Sequence, residues 1–292
     1  VAVRTAWTIC FWPSLIVWQA QTIKEPVVLF LEALALYACV RLKDTLSPRH
    51  VIVAALALLA LLPFRFYAAY VLGGAMLLGL MLPFARKRAT SRIAGLALLA
   101  CVLPVLIVSG LSAHHQATLE NYSLERIESI RKYDLKTSGS SVDINYDVST
   151  PTGKVMTVLA GFGYFVLAPF PWQIASGSAR MVFTLPEILA WWWMVFAGLY
   201  AGLKYAIGRR LADTRVILLF IGGMVLIQSL TFYNVGLAYR QRSQIIPWVV
   251  MLALVGFERK LRAKETSRDV WHARRTRLLA GTSAAQGAES PH

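Results

Sequence analysis

Residues Val51 to Phe84 read VIVAALALLALLPFRFYAAYVLGGAMLLGLMLPF and carry one charge, Arg65. A helix on the surface of a soluble protein needs a polar stripe facing water, and this run has none. A bilayer crossing takes roughly 20 apolar residues. The run therefore reads as two crossings, Val51 to Leu62 and Phe66 to Phe84, joined by the turn Pro63-Phe64-Arg65-Phe66-Tyr67. The same texture extends outward in both directions, with apolar spans at Trp7 to Ile23, Val27 to Val40, Ile93 to Leu111, Ile188 to Tyr205, Val216 to Phe232 and Ile245 to Phe257.

The whole chain agrees with that reading. Its 292 residues are 57% hydrophobic and only 15% charged, with a mean hydropathy of +0.55, whereas soluble domains are about a quarter charged. The apolar content also excludes a disordered chain, and three cysteines, Cys10, Cys39 and Cys101, all within apolar stretches, exclude a disulfide-stapled module. The expected fold is all-α, a polytopic integral membrane bundle of about eight spans plus a re-entrant segment.

A net charge of +15 invites a nucleic-acid reading, and the placement of the charges decides against it. The junctions 41–50, 86–92 and 204–215 and the segment after Phe257 are basic, and the positive-inside rule puts them in the cytoplasm together with both termini. With Arg4, that side holds 20 Lys and Arg against six acids, so +14 of the +15 faces the cytoplasmic leaflet. The chain is expected in the cytoplasmic (inner) membrane, multi-pass, with membrane lipids and no nucleic acid as partners.

This orientation requires that Val155 to Pro186 not complete a crossing. Gly161, Gly163, Pro169 and Pro171 interrupt its apolar run, so a re-entrant segment is expected, with Ala168-Pro169-Phe170-Pro171-Trp172 shaping a cavity near the outer face. The chain then divides into residues 1–111 with five spans, an extracytoplasmic loop over 112–154, the re-entrant segment and last three spans over 155–257, and a basic tail over 258–292 expected to be disordered. Within the loop, Leu119 to Leu135 has the spacing of a short surface helix, and Ser138 to Pro151 reads as an irregular flap. Asp143 and Asp147 there are candidates for a base or a divalent-metal contact. No EF-hand, zinc-ligand, P-loop or dinucleotide-binding pattern occurs, and His114-His115 is an isolated pair at a span end.

Positive charge in the short outer connections needs a reason. Lys24 stands beside Glu25 at the first outer turn, Arg65 lies among Phe64, Phe66 and Tyr67 at the second, and Arg240 and Arg242 precede the last span. Lys24 with Glu25 reads equally as an interfacial pair or a catalytic one, and Arg65 as an aromatic-belt anchor. Arg240 and Arg242, two forked donors in three residues, suit the oxygens of a lipid phosphate or a headgroup.

Several stretches resemble a known family. Phe11-Trp12-Pro13-Ser14-Leu15-Ile16-Val17-Trp18 followed by Lys24-Glu25-Pro26, then Pro169 to Trp172, Pro186-Glu187, and the run Asn234, Gly236, Arg240, Arg242, Pro247 are similar to segments of bacterial C-type membrane glycosyltransferases, often grouped with the dolichyl-phosphate-mannose-protein mannosyltransferase-like enzymes. The resemblance covers Phe11 to Gly256. It implies transfer of a sugar from a polyprenyl-phosphate donor to a glycan or lipid acceptor on the outer side of the membrane. In that family an acid in the first outer loop serves as base or metal contact. The chain opens at Val1 within its first span, which points to the C-terminal part of a longer protein with a missing N-terminal half, or to an acid from elsewhere, with Glu25 the nearest counterpart.

On this reading Arg240, Arg242, Arg65 and Lys24 stabilise the departing phosphate, and Glu25, Asp143 or Asp147 takes the acceptor proton. Trp18, Trp172, Trp191 and Tyr239 offer sugar-stacking faces. A surface-polysaccharide polymerase or ligase would use the same arginines on a pyrophosphate-linked glycan. A transporter or lipid flippase is the non-enzyme alternative, for which Glu32, Gln228 and Glu187 are the near-span polar residues to test.

Overall fold

The computed structural model describes residues 1–21, 24–82, 88–110, 129, 133, 146, 150–175, 185–231 and 234–288, and the regular elements among them are helices. In chain order these are α1 (Ala2–Cys10), α2 (Pro13–Gln21), α3 (Lys24–Asp44), α4 (Pro48–Met81), α5 (Arg88–Gly110), α6 (Pro151–Leu167), α7 (Pro171–Ala175) and α8 (Leu185–Trp193). A π-helical turn, Met194–Leu199, joins α8 to α9 (Tyr200–Leu230), and α10 (Val235–Arg242) and α11 (Ile246–Ala288) follow. Two helical stretches, Pro48–Met81 and Leu185–Leu230, are long and apolar enough to cross a membrane, with mean hydropathies of 2.2 and 1.7.

Each of these stretches turns back on itself. Arg65 has φ −149° and ψ 77°, outside the helical region, two residues after Pro63, which cannot donate its own helical hydrogen bond. In a straight helix Leu58 and Gly73 would lie about 22 Å apart. A Cβ on Gly73 would sit 3.9 Å from the Leu58 side chain, so residues 66–81 fold back along 48–64. The second reversal falls at Arg210 (φ −135°, ψ 22°), where the Thr214 hydroxyl donates to the Ala206 carbonyl at 3.4 Å across what would be about 12 Å of straight helix.

The packing follows from these hairpins. α3 packs along α4, α4 against α5, and α9 against α4, α6 and α11, while α1 lies on α11. The buried face of α3 is the stripe Val28, Glu32, Ala35 and Cys39, each fully excluded from solvent. Where α11 meets the π-helical turn and α9 the backbones touch: a Cβ on Gly202 would stand 2.0 Å from the Leu252 carbonyl oxygen, and one on Gly256 would stand 2.1 Å from that of Gly198. Only a residue without a side chain allows such an approach. The outside of the bundle is apolar, with Trp7, Phe11, Phe30, Leu56, Leu159 and Phe196 each at least half exposed.

Three expectations are corrected. The apolar run from Trp7 to Ile23 does not form one helix over its described part: α1 ends at Cys10 and α2 starts at Pro13, because proline restricts the residue before it and opens a helix well at its first position. Gly161 and Gly163 do not interrupt the 155–167 stretch but lie inside α6. Gly161 serves there as a contact point, since a Cβ would meet the Ser229 carbonyl oxygen at 2.1 Å. The basic tail is not irregular: α11 continues to Ala288, carried past Phe257 by Arg, Lys, Leu, Glu and Ala with no proline before Pro291.

Two ends of the bundle carry its charged clusters. At one, Lys43 pairs with Asp213, and Arg215 donates to the Leu82 carbonyl at 2.7 Å. At the other, which we call the head end, Glu25 on α3, the Arg65 turn of α4 and Arg240 on α10 converge.

Candidate functional site

The head-end site is built from three chain reversals. Glu25 lies in the first turn of α3, and Arg65 occupies the reversal of α4. Arg240 is held by α10, whose start is fixed by Asn234: its side chain accepts from the Gly236 and Leu237 amides at 2.8 and 3.3 Å, an N-cap that orients the helix.

Glu25 Oε1 accepts from Arg240 Nε at 3.0 Å, from Arg240 Nη2 at 2.6 Å and from Arg65 Nη2. Its side chain is 1% exposed, against 11% for Arg65 and 31% for Arg240. Arg65 Nη1 also donates to the Tyr67 hydroxyl at 2.9 Å, and Gln244 Nε2 donates to the same oxygen at 3.1 Å. Burial acts to raise the Glu25 carboxyl, but Arg65 and Arg240 outweigh it and hold it below the ordinary value.

One carboxylate thus pairs with two arginines, and the adjacent Lys24 adds a third, exposed cation at the same helix end. Burial first, and then the charge of Arg65, with Arg240 adding to it, pulls the Lys24 ammonium below its ordinary value, against the opposing pull of Glu25. The site has surplus positive charge. It also has unused hydrogen-bonding capacity: Glu25 Oε2, Arg65 Nε and Gln244 Oε1 are buried without a partner among the described residues. Buried polar atoms are normally satisfied, so such a concentration marks a place where water or a ligand completes the set.

An apolar groove of about 550 Å³ lies beside the site, lined by Leu15, Leu29, Phe30, Ala33, Pro247 and Trp248 among others. Its wall includes Pro26, the residue after Glu25, and no charged side chain. An enclosure of about 230 Å³ between the halves of α4 and α5 is lined by residues such as Leu58, Leu62, Leu77 and Val102 and has no charged wall.

Arg242 is placed differently from the expectation that it joins Arg240 on a lipid phosphate. On a helix, residues two apart point about 200° from one another. Arg242 accordingly turns inward and is 2% exposed, donating from Nε to the Phe165 carbonyl at 2.9 Å and from Nη2 to the Ala168 carbonyl at 2.5 Å. Its guanidinium lies 5.4 Å from the Trp191 ring and 5.8 Å from the Tyr239 ring. It ties the end of α6 and the Ala168-Pro169 peptide, which is cis, to α10. Trp191 Nε1 and Trp192 Nε1 bind the same stretch, at the Val166 and Leu167 carbonyls, at 2.7 and 2.8 Å.

Of the expected stacking residues, Tyr239 is half-buried with its ring against Arg242, and Trp172 is exposed and stacked on Phe170 at 4.7 Å. Trp18 lies on α2, with its side chain outside what is described. Asp143, Asp147 and His114-His115 lie outside the described residues, as do the expected loop helix and flap apart from residues 129, 133, 146, 150 and 151. Tyr67, Gln244 and Trp248 had no separate signal in the sequence beyond their nearness to Arg65 and Pro247.

No known protein family, curated protein or solved structure matches the chain.

Proposed function

We propose that the protein is a multi-pass membrane glycosyltransferase whose head end faces outward and binds the phosphate of a polyprenyl-linked sugar. The carrying observation is one buried Glu25 carboxylate paired with both Arg65 and Arg240, with Lys24 adjacent in the chain and an apolar groove whose wall includes Pro26. Forked guanidinium donors suit phosphate oxygens, and an apolar channel next to them suits a lipid tail. Arg240, the more exposed arginine, and Lys24 contact the phosphate. Glu25 holds both arginines in place and is a poor base while so engaged. Arg242 shapes the site without touching the donor.

Membrane placement is supported by the apolar outer surface, on which large hydrophobic side chains are exposed in numbers a water-soluble monomer rarely tolerates. With residues 48–64 and 66–81 read as separate crossings, and likewise the two arms of the α8 to α9 stretch, the proposed topology has about eight spans, and the positive-inside rule assigns the Lys43 and Arg215 end to the cytoplasm. The resemblance to C-type glycosyltransferases is consistent with this placement of the cations.

The reading is tested by mass spectrometry of surface and polyprenyl-linked glycans from a strain lacking the gene and from the complemented strain. A missing sugar with accumulated acceptor supports the transferase, and shortened chains with retained single units would support a polymerase. An unchanged profile would remove both. In that case a proton-linked transporter is the second reading, favoured by Glu32, which is fully buried in α3 with neither carboxyl oxygen partnered among the described residues.

A further inference from the structure

The end of the bundle opposite the head brings two guanidinium groups onto one tyrosine. Tyr205 and Arg210 lie on the arm of the α8 to α9 stretch that ends at the Arg210 reversal, and Arg259 lies on α11. Arg210 Nε donates to the Tyr205 hydroxyl at 3.3 Å, and the Arg259 guanidinium lies over the Tyr205 ring, 3.8 Å from its centre. Other contacts fix α11 at this height: Lys260 Nζ donates to the Ala197 carbonyl at 2.6 Å, and Arg4 and Arg262 both pair with Glu258.

The charges around Tyr205 do not balance. Asp213 accepts from Arg210 Nη1 at 3.3 Å and is shared with Lys43. Arg259 forms no ion pair with any described residue, and neither do the exposed Lys204 and Arg209, which precede Tyr205 and Arg210 in the chain. A guanidinium stacked on a ring uses its face and leaves its N–H edge free. Arg259 is therefore held in place with its donors unspent, close to a second guanidinium that repels it. An anion accepting from both relieves the repulsion, and phosphate oxygens match the two forks.

The surroundings of the site select a lipid phosphate over a soluble one. On the same arm Tyr200 and Ile207 are 70% and 56% exposed, and Trp193, 58% exposed, stacks on Phe257 of α11 at 4.2 Å. After Ile207 the chain reads Gly208-Arg209-Arg210, so exposed apolar surface gives way to cations within a single turn. A headgroup belongs at such a boundary, with its tails on the apolar side. The surplus of cations over Asp213 favours a lipid of net negative charge. We propose that Tyr205, Arg210 and Arg259 bind the headgroup phosphate of an anionic phospholipid in the cytoplasmic leaflet. Arg210 and Arg259 contact the phosphate, and Tyr205 positions both. The site rests on the membrane placement proposed above and is independent of the transferase reading.

The test is native mass spectrometry of the detergent-purified full chain titrated with dioleoyl phosphatidylglycerol, dioleoyl phosphatidylcholine or inorganic phosphate. The wild type is expected to bind phosphatidylglycerol in preference to the other two. One basic residue at an anionic lipid is worth about fivefold in affinity, so two are worth roughly 25-fold. Arg210→Gln with Arg259→Gln is expected to weaken the phosphatidylglycerol adduct by that full factor. Arg259→Gln alone breaks no ion pair and is expected to weaken it about fivefold, which keeps the test open if the double variant does not fold. Lys264→Gln with Arg268→Gln removes the same charge from the exposed continuation of α11 and is expected to change it less than about twofold. Equal adducts with the two lipids, or equal weakening by the two double variants, would overturn the site. An adduct with inorganic phosphate and none with phosphatidylglycerol would overturn the lipid as its occupant. Recovery of the full chain in the supernatant after alkaline carbonate extraction would overturn the membrane placement and the site together. A carbonate-resistant chain that fails the lipid titration overturns the site alone.

Discussion

Replacing Glu25 with glutamine keeps its shape and removes the charge on which two arginines converge. Oε1 accepts from Arg240 at 3.0 and 2.6 Å and from Arg65 as well, with the carboxylate itself 1% exposed. Removing one partner of a buried ion pair costs about 3–5 kcal/mol because the other charge is left uncompensated. Arg240 is 31% exposed and can turn to water, so the lower end applies, about 3 kcal/mol. At roughly 2 °C per kcal/mol for a chain larger than about 150 residues, the midpoint should fall by about 6 °C.

The same interaction sets a pH dependence. The arginines hold folded Glu25 below the ordinary value of 4.5. A carboxyl with a depressed folded value stabilises fully above its unfolded value and loses that contribution as pH falls through the folded one. Thermal unfolding in detergent, followed by tryptophan fluorescence between pH 7 and pH 3, should therefore show an acid-side loss in the wild type that Glu25→Gln lacks. Equal midpoints for the two proteins at pH 7, with parallel acid limbs, would refute the buried ion-pair geometry.

Other expectations follow from named contacts. Gly202→Ala and Gly256→Ala place a Cβ at 2.0 and 2.1 Å from carbonyl oxygens and should cost at least about 1–3 kcal/mol, seen as lost folded yield in detergent. Gly208→Ala and Gly222→Ala, helical with nothing within 4 Å of the added carbon, should leave the midpoint unchanged or raise it by the equivalent of up to about 1 kcal/mol. Asp213→Asn removes a 44%-exposed partner of Lys43 and Arg210 and should shift stability by less than about 1 kcal/mol, with the small difference fading at high salt. Arg242→Lys keeps a charge but loses the fork between Phe165 and Ala168, and should increase proteolysis between α6 and α7.

The helical class was legible because apolar runs as long as Val51 to Phe84 have few alternatives. The turn at Pro63 to Tyr67 was legible too, since a proline and a lone arginine interrupt the run where the chain reverses. Split elements were less visible: Pro13 is the one signal that α1 and α2 part, and the continuous apolar run from Trp7 to Ile23 around it reads as a single span. For the site, cations stranded at short turns identified Lys24, Arg65 and Arg240. Their arrangement could not be read, because Glu25 finds its partners 40 and 215 positions away and not in adjacent Lys24. The separation of Arg240 from Arg242 was recoverable in principle. Asn234 before Gly236 is an N-cap signal, and a helix through 240–242 sends those side chains to opposite faces.

The central claim, that the head end binds a lipid phosphate through Arg240 and Lys24, is tested most directly by native mass spectrometry of the detergent-purified full chain with farnesyl phosphate or with farnesol. The account predicts an adduct with farnesyl phosphate, little with farnesol, and loss of the adduct in Arg240→Ala with Lys24→Ala. Equal adducts for the two lipids, or a phosphate adduct that survives both substitutions, would contradict it.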